Sequence, residues 1–282
     1  MNKVLILTDS TSDIPKELQI KHDIQTIPLF IRFQEEVFLD GVDMTPELLY
    51  QKVKDTNIMA RSSGLRSTDF NVAFRKFLAR GYDIVYIGVS SHLSSSLQSA
   101  EIAKNSINPD RIFLVDSQNL SAGLALLIFK AVSLRNEGKS ALEIKAILES
   151  YVPKVRSFYI IPALDYLHAS GKMTSAQQFF GRLIGLKPII TIQNGAVQVY
   201  KKALGRMEKQ IKYLISNILK SKIPVNQDLM VITHSLAPKS IEFLKQQITS
   251  QMTITQLIES EMGCVISAHS GKDTVGIAYL EA

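Results

Sequence analysis

The sequence contains a single cysteine, Cys264, among 282 residues. One cysteine excludes an internal disulfide and any metal site built from several thiolates. The histidines are scattered along the chain, without the spacing of metal ligands, at His22, His92, His168, His234 and His269. We therefore expect no bound metal ion.

Long apolar runs are also absent, since none approaches the roughly 20 residues that a helix needs to cross a bilayer. The first 13 residues, MNKVLILTDSTSD, reach polar and acidic residues after an apolar run too short for the core of a signal peptide. The hydrophobic content of 46% and the charged content of 21% are typical of a globular protein with a full core. We expect a soluble cytoplasmic protein with no transmembrane segment.

Several signature loops are missing. The sequence has no Gly-x-Ser-x-Gly, which would mark the nucleophile of an α/β-hydrolase. It also lacks Gly-x-x-x-x-Gly-Lys-Ser/Thr and Gly-x-Gly-x-x-Gly, so a nucleotide cofactor is unsupported.

Charge is spread unevenly. Residues 1–150 hold 17 basic against 18 acidic residues, whereas residues 151–282 hold 15 against 8, a net charge of +7. The basic excess is densest between Lys201 and Lys222. Such a face either docks an acidic partner or nucleic acid, or is an ordinary solvated helix face, and the scarcity of interleaved aromatic residues favours the latter.

The most informative stretch is a predicted strand, Ile84 to Val89, that runs into a serine-rich turn and then a helix. Five hydroxyl side chains lie within seven positions, at Ser90, Ser91, Ser94, Ser95 and Ser96. Free backbone N–H groups at a helix start, together with hydroxyls, suit an anion. The alternative is that these serines only cap the helix and form the turn.

Similar polar turns follow two other predicted strands, after Leu7 as Thr8 to Asp13 and after Val115 as Asp116 to Asn119. Alternating strands and helices, with strands that are continuous apolar runs, predict a parallel sheet covered on both faces, that is, an α/β/α arrangement. Ligands of such sheets bind beyond the carboxyl ends of the strands. The polar turns would meet there. The aspartates in them serve either as acid–base pairs or as helix caps.

The second half of the chain has a different pattern. Asn194-Gly195 predicts a hairpin turn. Helices are expected over Ser175 to Leu183 and Arg206 to Leu219, and strands near 254–259, 264–268 and 275–280. This predicts an α/β domain with a largely antiparallel sheet. We expect domains 1–155 and 156–282 with a ligand cleft at their junction. His269, between two of those strands, is either structural or a hydrogen-bond donor to an anion.

These motifs together resemble the DegV family of bacterial fatty-acid-binding proteins over essentially the whole chain. The matching segments are Thr8 to Asp13, Ser90 to Ser94, Gln98 to Ala100, Val115 to Ser117, Gly185 to Ile189 and Ile266 to Gly271. The resemblance implies a parallel-sheet domain joined to a second α/β domain. It also implies a long-chain fatty acid with a buried tail and no catalysis by the protein itself. A separate fatty-acid kinase would phosphorylate the bound acid.

The resemblance assigns the fatty-acid carboxylate to Ser62, Ser94 and His269. Supporting polar residues would be Thr8, Asp9, Ser10, Ser63, Ser91, Ser95, Arg206 and Ser270. The sequence departs from the family pattern at Ser95 and Ser96, at Ala169 to Lys172, and before the basic helix, where Arg206 is the nearest candidate for the family's arginine.

Two other functions stay open at this point. One is an enzyme, an acyl hydrolase or a small-molecule transferase, that would use Ser94 with His269. The other is a nucleic-acid-binding regulator that acts through the basic helix, although we expect no nucleic-acid partner. The motifs favour the hypothesis of a fatty-acid carrier with no cofactor other than its ligand.

Overall fold

The computed structural model describes residues 3–107, 110–162, 164–169 and 187–282. The strands are β1 (Lys3–Asp9), β2 (Ile24–Ile27), β3 (Phe30–Phe33), β4 (Glu36–Leu39), β5 (Arg61–Ser63), β6 (Tyr82–Gly88), β7 (Ile112–Asp116), β8 (Val155–Ile160), β9 (Ile189–Gln193), β10 (Ala196–Lys201), β11 (Val225–His234), β12 (Gln256–Glu261) and β13 (Val275–Glu281). The helices are α1 (Lys16–Lys21), α2 (Pro46–Thr56), α3 (Ser67–Leu78), α4 (Ser96–Ile107), α5 (Ser121–Asn136), α6 (Ala141–Tyr151), α7 (Leu164–Ala169), α8 (Met207–Leu219), α9 (Pro238–Thr249) and α10 (Cys264–Ser270). The helix expected over Ser175 to Leu183 lies outside the described residues.

The predicted parallel sheet is confirmed, with strand order β2-β1-β6-β7 and every pair parallel. Alternate residues of β1 enter different cores, as the period of a strand requires. Ile6 packs into the core that contains α5, whereas Leu5 and Leu7 pack into the core that contains α3 and α4. Both faces of the sheet are therefore covered by helices.

Helix α5 lies at the centre of the molecule. It is apolar on all sides, which is typical of a fully buried helix, and twelve of its residues are buried. Val85 of the parallel sheet and Val231 and Ala278 of the second sheet belong to the same core as this helix. The two halves of the chain thus share one hydrophobic core around α5. The division at residues 155 and 156 stays a prediction.

The second sheet has the order β10-β9-β8-β13-β11-β12. All its pairs are antiparallel except β11 with β12, so the predicted, largely antiparallel sheet is confirmed. Helices α8 and α9 pack on one of its faces. The turn between β9 and β10 has Asn194 and Gly195 at φ values of 50° and 77°, the left-handed conformations that a two-residue hairpin favours.

A third, small sheet with the order β4-β3-β5 was not predicted. The apolar stretch from Ile24 to Phe33 predicts one strand, but the structure interrupts it at Pro28, which has no N–H to donate, and its two parts join different sheets. The small polar residues from Arg61 to Gly64 predict a turn, and this prediction is wrong, because Arg61–Ser63 form strand β5 against β3.

The strand expected near 264–268 was wrong as well, because these residues form helix α10. A short apolar run such as Cys-Val-Ile-Ser-Ala does not by itself distinguish a strand from a buried helix. The backbone N–H of Gly263 donates to Asp13 Oδ1 at 2.8 Å, and that of Cys264 donates to Asp40 Oδ1 at 2.7 Å. Two carboxylates from the first half of the chain thus hold the start of α10, and His269 lies in its last turn.

Within the described ranges, no helix combines the length and the apolar character that crossing a membrane requires.

Candidate functional site

The polar turn after β1 is built around Asp9, which is fully buried. Its carboxylate accepts hydrogen bonds from the backbone N–H groups of Thr11 and Val89, both at 3.1 Å, and from Tyr86 Oη at 2.9 Å. Burial raises the pKa of Asp9, and these hydrogen bonds oppose that shift. Asp9 therefore joins the ends of β1 and β6 and fixes the turn that follows, rather than facing a ligand.

An apolar cavity of about 160 Å³ lies next to that turn. It is bounded by side chains from both halves of the chain. The apolar ones are Leu29, Val89, Leu93, Leu120, Tyr159, Ile161, Leu167, Ile190, Val197, Val265 and Ile266. The remaining lining residues are Thr11, Ser62, Gly64, Ser94, Ser95, His269 and Ser270. We call this space the apolar cavity.

A serine and a histidine meet at the wall of the apolar cavity. Ser62 Oγ lies 2.7 Å from His269 Nε2, a hydrogen bond whose direction depends on the imidazole tautomer. The antiparallel register of β5 with β3 places Ser62 opposite Ile31, and the last turn of α10 supplies His269. Both groups can donate hydrogen bonds to an anion that enters the cavity.

Ser94 lies in the serine-rich turn and lines the same apolar cavity. Its hydroxyl accepts a hydrogen bond from the backbone N–H of Ser96 at 3.2 Å and lies 3.0 Å from Ser96 Oγ. Ser96 Oγ in turn accepts from the backbone N–H of Leu65 at 3.1 Å. The capping role and the cavity-lining role of Ser94 therefore coexist, since the residue caps the helix start and also borders the cavity.

Gly64 allows this close approach. A Cβ atom at Gly64 would lie 3.0 Å from Ser94 Oγ, 3.1 Å from Ser96 Oγ and 3.3 Å from Ser95 Oγ. The absence of a side chain lets the segment after β5 pack directly on the serine turn.

Five of the eleven residues expected at the site line the apolar cavity, namely Ser62, Ser94, Ser95, His269 and Ser270. The others have different neighbours. Thr8 Oγ1 donates to the carbonyl of Ile87 at 2.8 Å, and Ser91 Oγ donates to Asp116 Oδ2 at 2.6 Å. Ser10 Oγ accepts from the backbone N–H of Leu29 at 3.0 Å.

Three of these residues, Asp9, Ser63 and Arg206, also lie away from the cavity lining. Ser63 pairs with Phe30 in the small sheet, and Arg206 is the exposed residue immediately before α8. The structure therefore brings together the three residues assigned to the carboxylate and places most of the supporting ones elsewhere.

The apolar wall was not predicted, although one part of it had a signal in the sequence. Tyr159 and Ile161 are two positions apart on and after β8, and Tyr159 pairs with Ile190 across the sheet, so the three side chains share one face. Tyr159 Oη donates to the carbonyl of Leu120 at 2.9 Å, and burial raises its pKa, so this hydroxyl stays protonated.

Comparison with known proteins defines the class. A family model described as an uncharacterised protein of the DegV family matches residues 3–282. The chain belongs to the DegV family. A DegV domain-containing protein from Clostridium acetobutylicum is 31% identical over 281 residues, which cover 100% of this chain and 99% of the relative. A second, from Caldanaerobacter subterraneus, is 29% identical and is covered over 100% of both chains.

Solved structures agree in fold. A DegV family protein from Thermus thermophilus, whose structure is described as one of fatty-acid binding, has a TM-score of 0.90 at 26% identity, with 100% of both chains covered. DegV from Bacillus subtilis, described as a fatty-acid-binding protein, has a TM-score of 0.85 at 25% identity, again with 100% of both chains covered.

Proposed function

We propose that this protein binds one long-chain fatty acid, with the tail in the apolar cavity and the carboxylate at Ser62, Ser94 and His269. The observation that supports this most directly is the 2.7 Å contact between Ser62 Oγ and His269 Nε2 at the wall of a cavity lined mainly by apolar side chains. Relatives of similar fold that are described as fatty-acid-binding proteins support the same ligand class.

The tail would supply most of the affinity. Burying one methylene group is worth about 0.8 kcal/mol, so about 16 carbons supply on the order of 12 kcal/mol before costs. Association and ordering consume several kcal/mol of that sum. A cavity of about 160 Å³ is close to the size that holds one benzene ring. A long tail therefore enters only as lining side chains such as Leu93 and Ile266 change rotamer.

The head group would decide the orientation of the acid. A carboxylate buried without donors is costly, and hydroxyl or imidazole donors remove that cost. Ser62 and His269 come from opposite halves of the chain, so a carboxylate held by both would also bridge them.

We further propose that the protein acts in the cytoplasm as a carrier without turnover of its own, and presents the bound acid to a separate fatty-acid kinase. The alternative, an acyl hydrolase, needs a nucleophile in contact with a base. His269 contacts Ser62 rather than Ser94, so the hydrolase that would use Ser94 has no direct Ser94–His269 hydrogen bond to support it.

The test begins with organic extraction and mass spectrometry of the purified protein. A carrier yields about one fatty acid per chain, and the delipidated protein takes the acid up again in a calorimetric titration. No uptake would contradict the proposal. A burst of hydrolysis with an activated ester, lost in Ser62→Ala or Ser94→Ala, would favour the enzyme instead.

A further inference from the structure

The serine-rich turn after β6 and the hairpin of β9 and β10 meet at one wall of the apolar cavity. Leu93 and Ser94 line the cavity from the turn, and Ile190 and Val197 line it from the hairpin. The turn belongs to the first half of the chain and the hairpin to the second. Separation of these two segments would therefore open the cavity beside Ser94.

The end of this hairpin has little backbone support from the rest of its sheet. Strand β9 pairs with β8 at only three positions, the last of them Thr191 with Phe158, although β8 begins three residues earlier at Val155. Residues 192–197, which we call the hairpin tip, pair only with each other within the ranges that the structure describes. Strand β10 is the edge strand of the sheet, so its outer side has no strand neighbour in the described part of the chain.

Open space lies behind the hairpin tip. Thr191, Gln193 and Asn194 line a cleft of about 460 Å³, which Arg156 of β8 and Asn217 of α8 also border. Alternate residues of a strand point to opposite faces, so this cleft and the apolar cavity lie on opposite sides of the hairpin. The cleft leaves room for the tip to move away from the serine-rich turn.

One hydrogen bond joins the hairpin tip to the serine-rich turn among the described residues. Ser90 Oγ donates to the carbonyl of Gly195 at 2.7 Å, and Ser90 is fully buried. The fit is close, because a Cβ atom at Gly195 would lie 2.7 Å from Ser90 Oγ and 3.3 Å from His92 Cγ. A single neutral hydrogen bond contributes little net free energy, so it can hold the tip closed and still break while the fold stays intact.

We propose that the hairpin tip is a gate of the apolar cavity, and that Ser90 holds it closed through Gly195. When this hydrogen bond breaks, the tip moves toward the cleft, and the fatty acid enters or leaves beside Ser94. This role rests on the proposed fatty-acid binding. Because Ser90 does not line the cavity, it positions the wall rather than contacting the ligand.

Stopped-flow fluorescence with cis-parinaric acid, a fluorescent fatty acid, measures association and dissociation on the delipidated full-length protein. Ser90→Ala should raise both rate constants by a similar factor of about threefold to tenfold, as expected for the loss of one neutral hydrogen bond. The dissociation constant should stay nearly unchanged, because the closed tip loses the same bond with and without ligand. A changed dissociation constant with unchanged association would mean that Ser90 only shapes the cavity, and would overturn the proposal.

Ser91→Ala is the matched control, since Ser91 is the next residue of the turn but bonds to Asp116 instead of the hairpin. Ser90 Oγ also accepts from the backbone N–H of His92 at 3.2 Å, so a second variant breaks the contact from the hairpin side. Gly195→Ala brings a Cβ to 2.7 Å from Ser90 Oγ and should raise both rate constants as Ser90→Ala does. Equal acceleration by Ser91→Ala would indicate general loosening of the turn and would overturn the proposal.

Amide hydrogen exchange of the ligand-free protein separates the gate from the proposed function. Exchange in residues 192–197 should be about threefold to tenfold faster in Ser90→Ala, while exchange in β8 stays unchanged. If the wild type takes up no parinaric acid, the fatty-acid function fails, and faster exchange confined to the tip still supports the gate. Equal exchange in the variant and the wild type would overturn the gate, whatever the result with the lipid.

Discussion

Ser62 and His269 are 207 positions apart in the chain, and a hydrogen bond of 2.7 Å joins Ser62 Oγ to His269 Nε2. One residue belongs to a three-residue edge strand and the other to a seven-residue helix. This hydrogen bond depends on the packing of α10 against the small sheet. Its presence is therefore sensitive to the relative position of the two halves of the chain.

Ser62→Ala and His269→Ala should each weaken binding of a free fatty acid while barely affecting its methyl ester. Each variant removes one donor to a charged group, which costs roughly 1.5–3 kcal/mol, about a tenfold to hundredfold loss of affinity. The ester lacks the charge. Calorimetric titration of both ligands measures the difference.

Ser63→Ala is the matched control for that pair, because Ser63 is the next residue of β5 and does not line the apolar cavity. Its affinity for the acid should equal that of the wild type. Equal losses for acid and ester in Ser62→Ala would mean that Ser62 only shapes the cavity.

Ile266→Phe should weaken acid and ester alike, since Ile266 lines the apolar cavity and the larger ring occupies space that the tail needs. Overpacking of this kind typically costs 1–3 kcal/mol. Val72→Phe, at a side chain that is 72% exposed on α3, is the control for hydrophobic enlargement. A selective loss for the acid would place the head group, rather than the tail, near Ile266.

Gly64→Ala should lower both stability and acid binding. The added Cβ lies 3.0 Å from Ser94 Oγ and 3.1 Å from Ser96 Oγ, so the two hydroxyls must shift by a few tenths of an ångström. The shift of Ser96 Oγ weakens its hydrogen bond from Leu65 N, which is worth about 1 kcal/mol when fully formed. Urea unfolding measures the first effect and calorimetry the second. An unchanged unfolding midpoint would show that the serine turn adapts without loss.

Asp13→Asn should change how stability depends on pH. Burial raises the pKa of Asp13 well above 3.8, so the folded state holds this proton more tightly than the unfolded state. Stability from that proton is fully present below pH 3.8 and is lost as pH rises through the folded pKa.

The free energy of unfolding of the variant should therefore decline less steeply than that of the wild type above about pH 4. The difference in slope is at most about 1.4 kcal/mol per pH unit for one proton. Urea unfolding at a series of pH values measures it. Asp55→Asn, at an exposed position of α2, should follow the wild-type curve. Parallel curves for Asp13→Asn and the wild type would contradict the prediction.

Reversing two charges on α8, Lys209→Glu with Lys212→Glu, should slow association with a purified fatty-acid kinase by tenfold or more at low salt. Both lysines are exposed, whereas Ile211 and Leu214 bury the other face of the helix. Fold and lipid binding should be kept. Kinetics unchanged by the reversal would identify this face as simply solvated.

Much of the fold follows from local pattern. The continuous apolar runs of β1 and β6 predict a parallel sheet because such strands are buried on both faces, and Asn194-Gly195 predicts its hairpin from backbone conformation alone. Local pattern does not predict helix α10, because its seven mostly apolar residues fit a strand or a helix equally well. Its start is fixed by Asp13 and Asp40, which accept hydrogen bonds from its first N–H groups.

The candidate site likewise has a part that the sequence predicts and a part that it does not. Ser94 and its neighbours stand out in the sequence because a dense serine turn follows a strand. The apolar wall does not, since Leu29, Tyr159 and Val265 are ordinary core residues until packing places them around one cavity. The contact between Gly263 and Asp13 spans 250 positions, and no local pattern encodes such a distance.

Helix α10 begins at the carboxylates of Asp13 and Asp40 and ends at the apolar cavity. Its seven residues span about 10 Å, with Gly263 held by Asp13 at one end and His269 bonded to Ser62 at the other. Affinities coupled through one body are reciprocal. Whatever factor protonation of Asp13 imposes on fatty-acid affinity, the bound fatty acid imposes the same factor on the proton affinity of Asp13, so a bound lipid would be measured as a change in how that carboxyl group titrates.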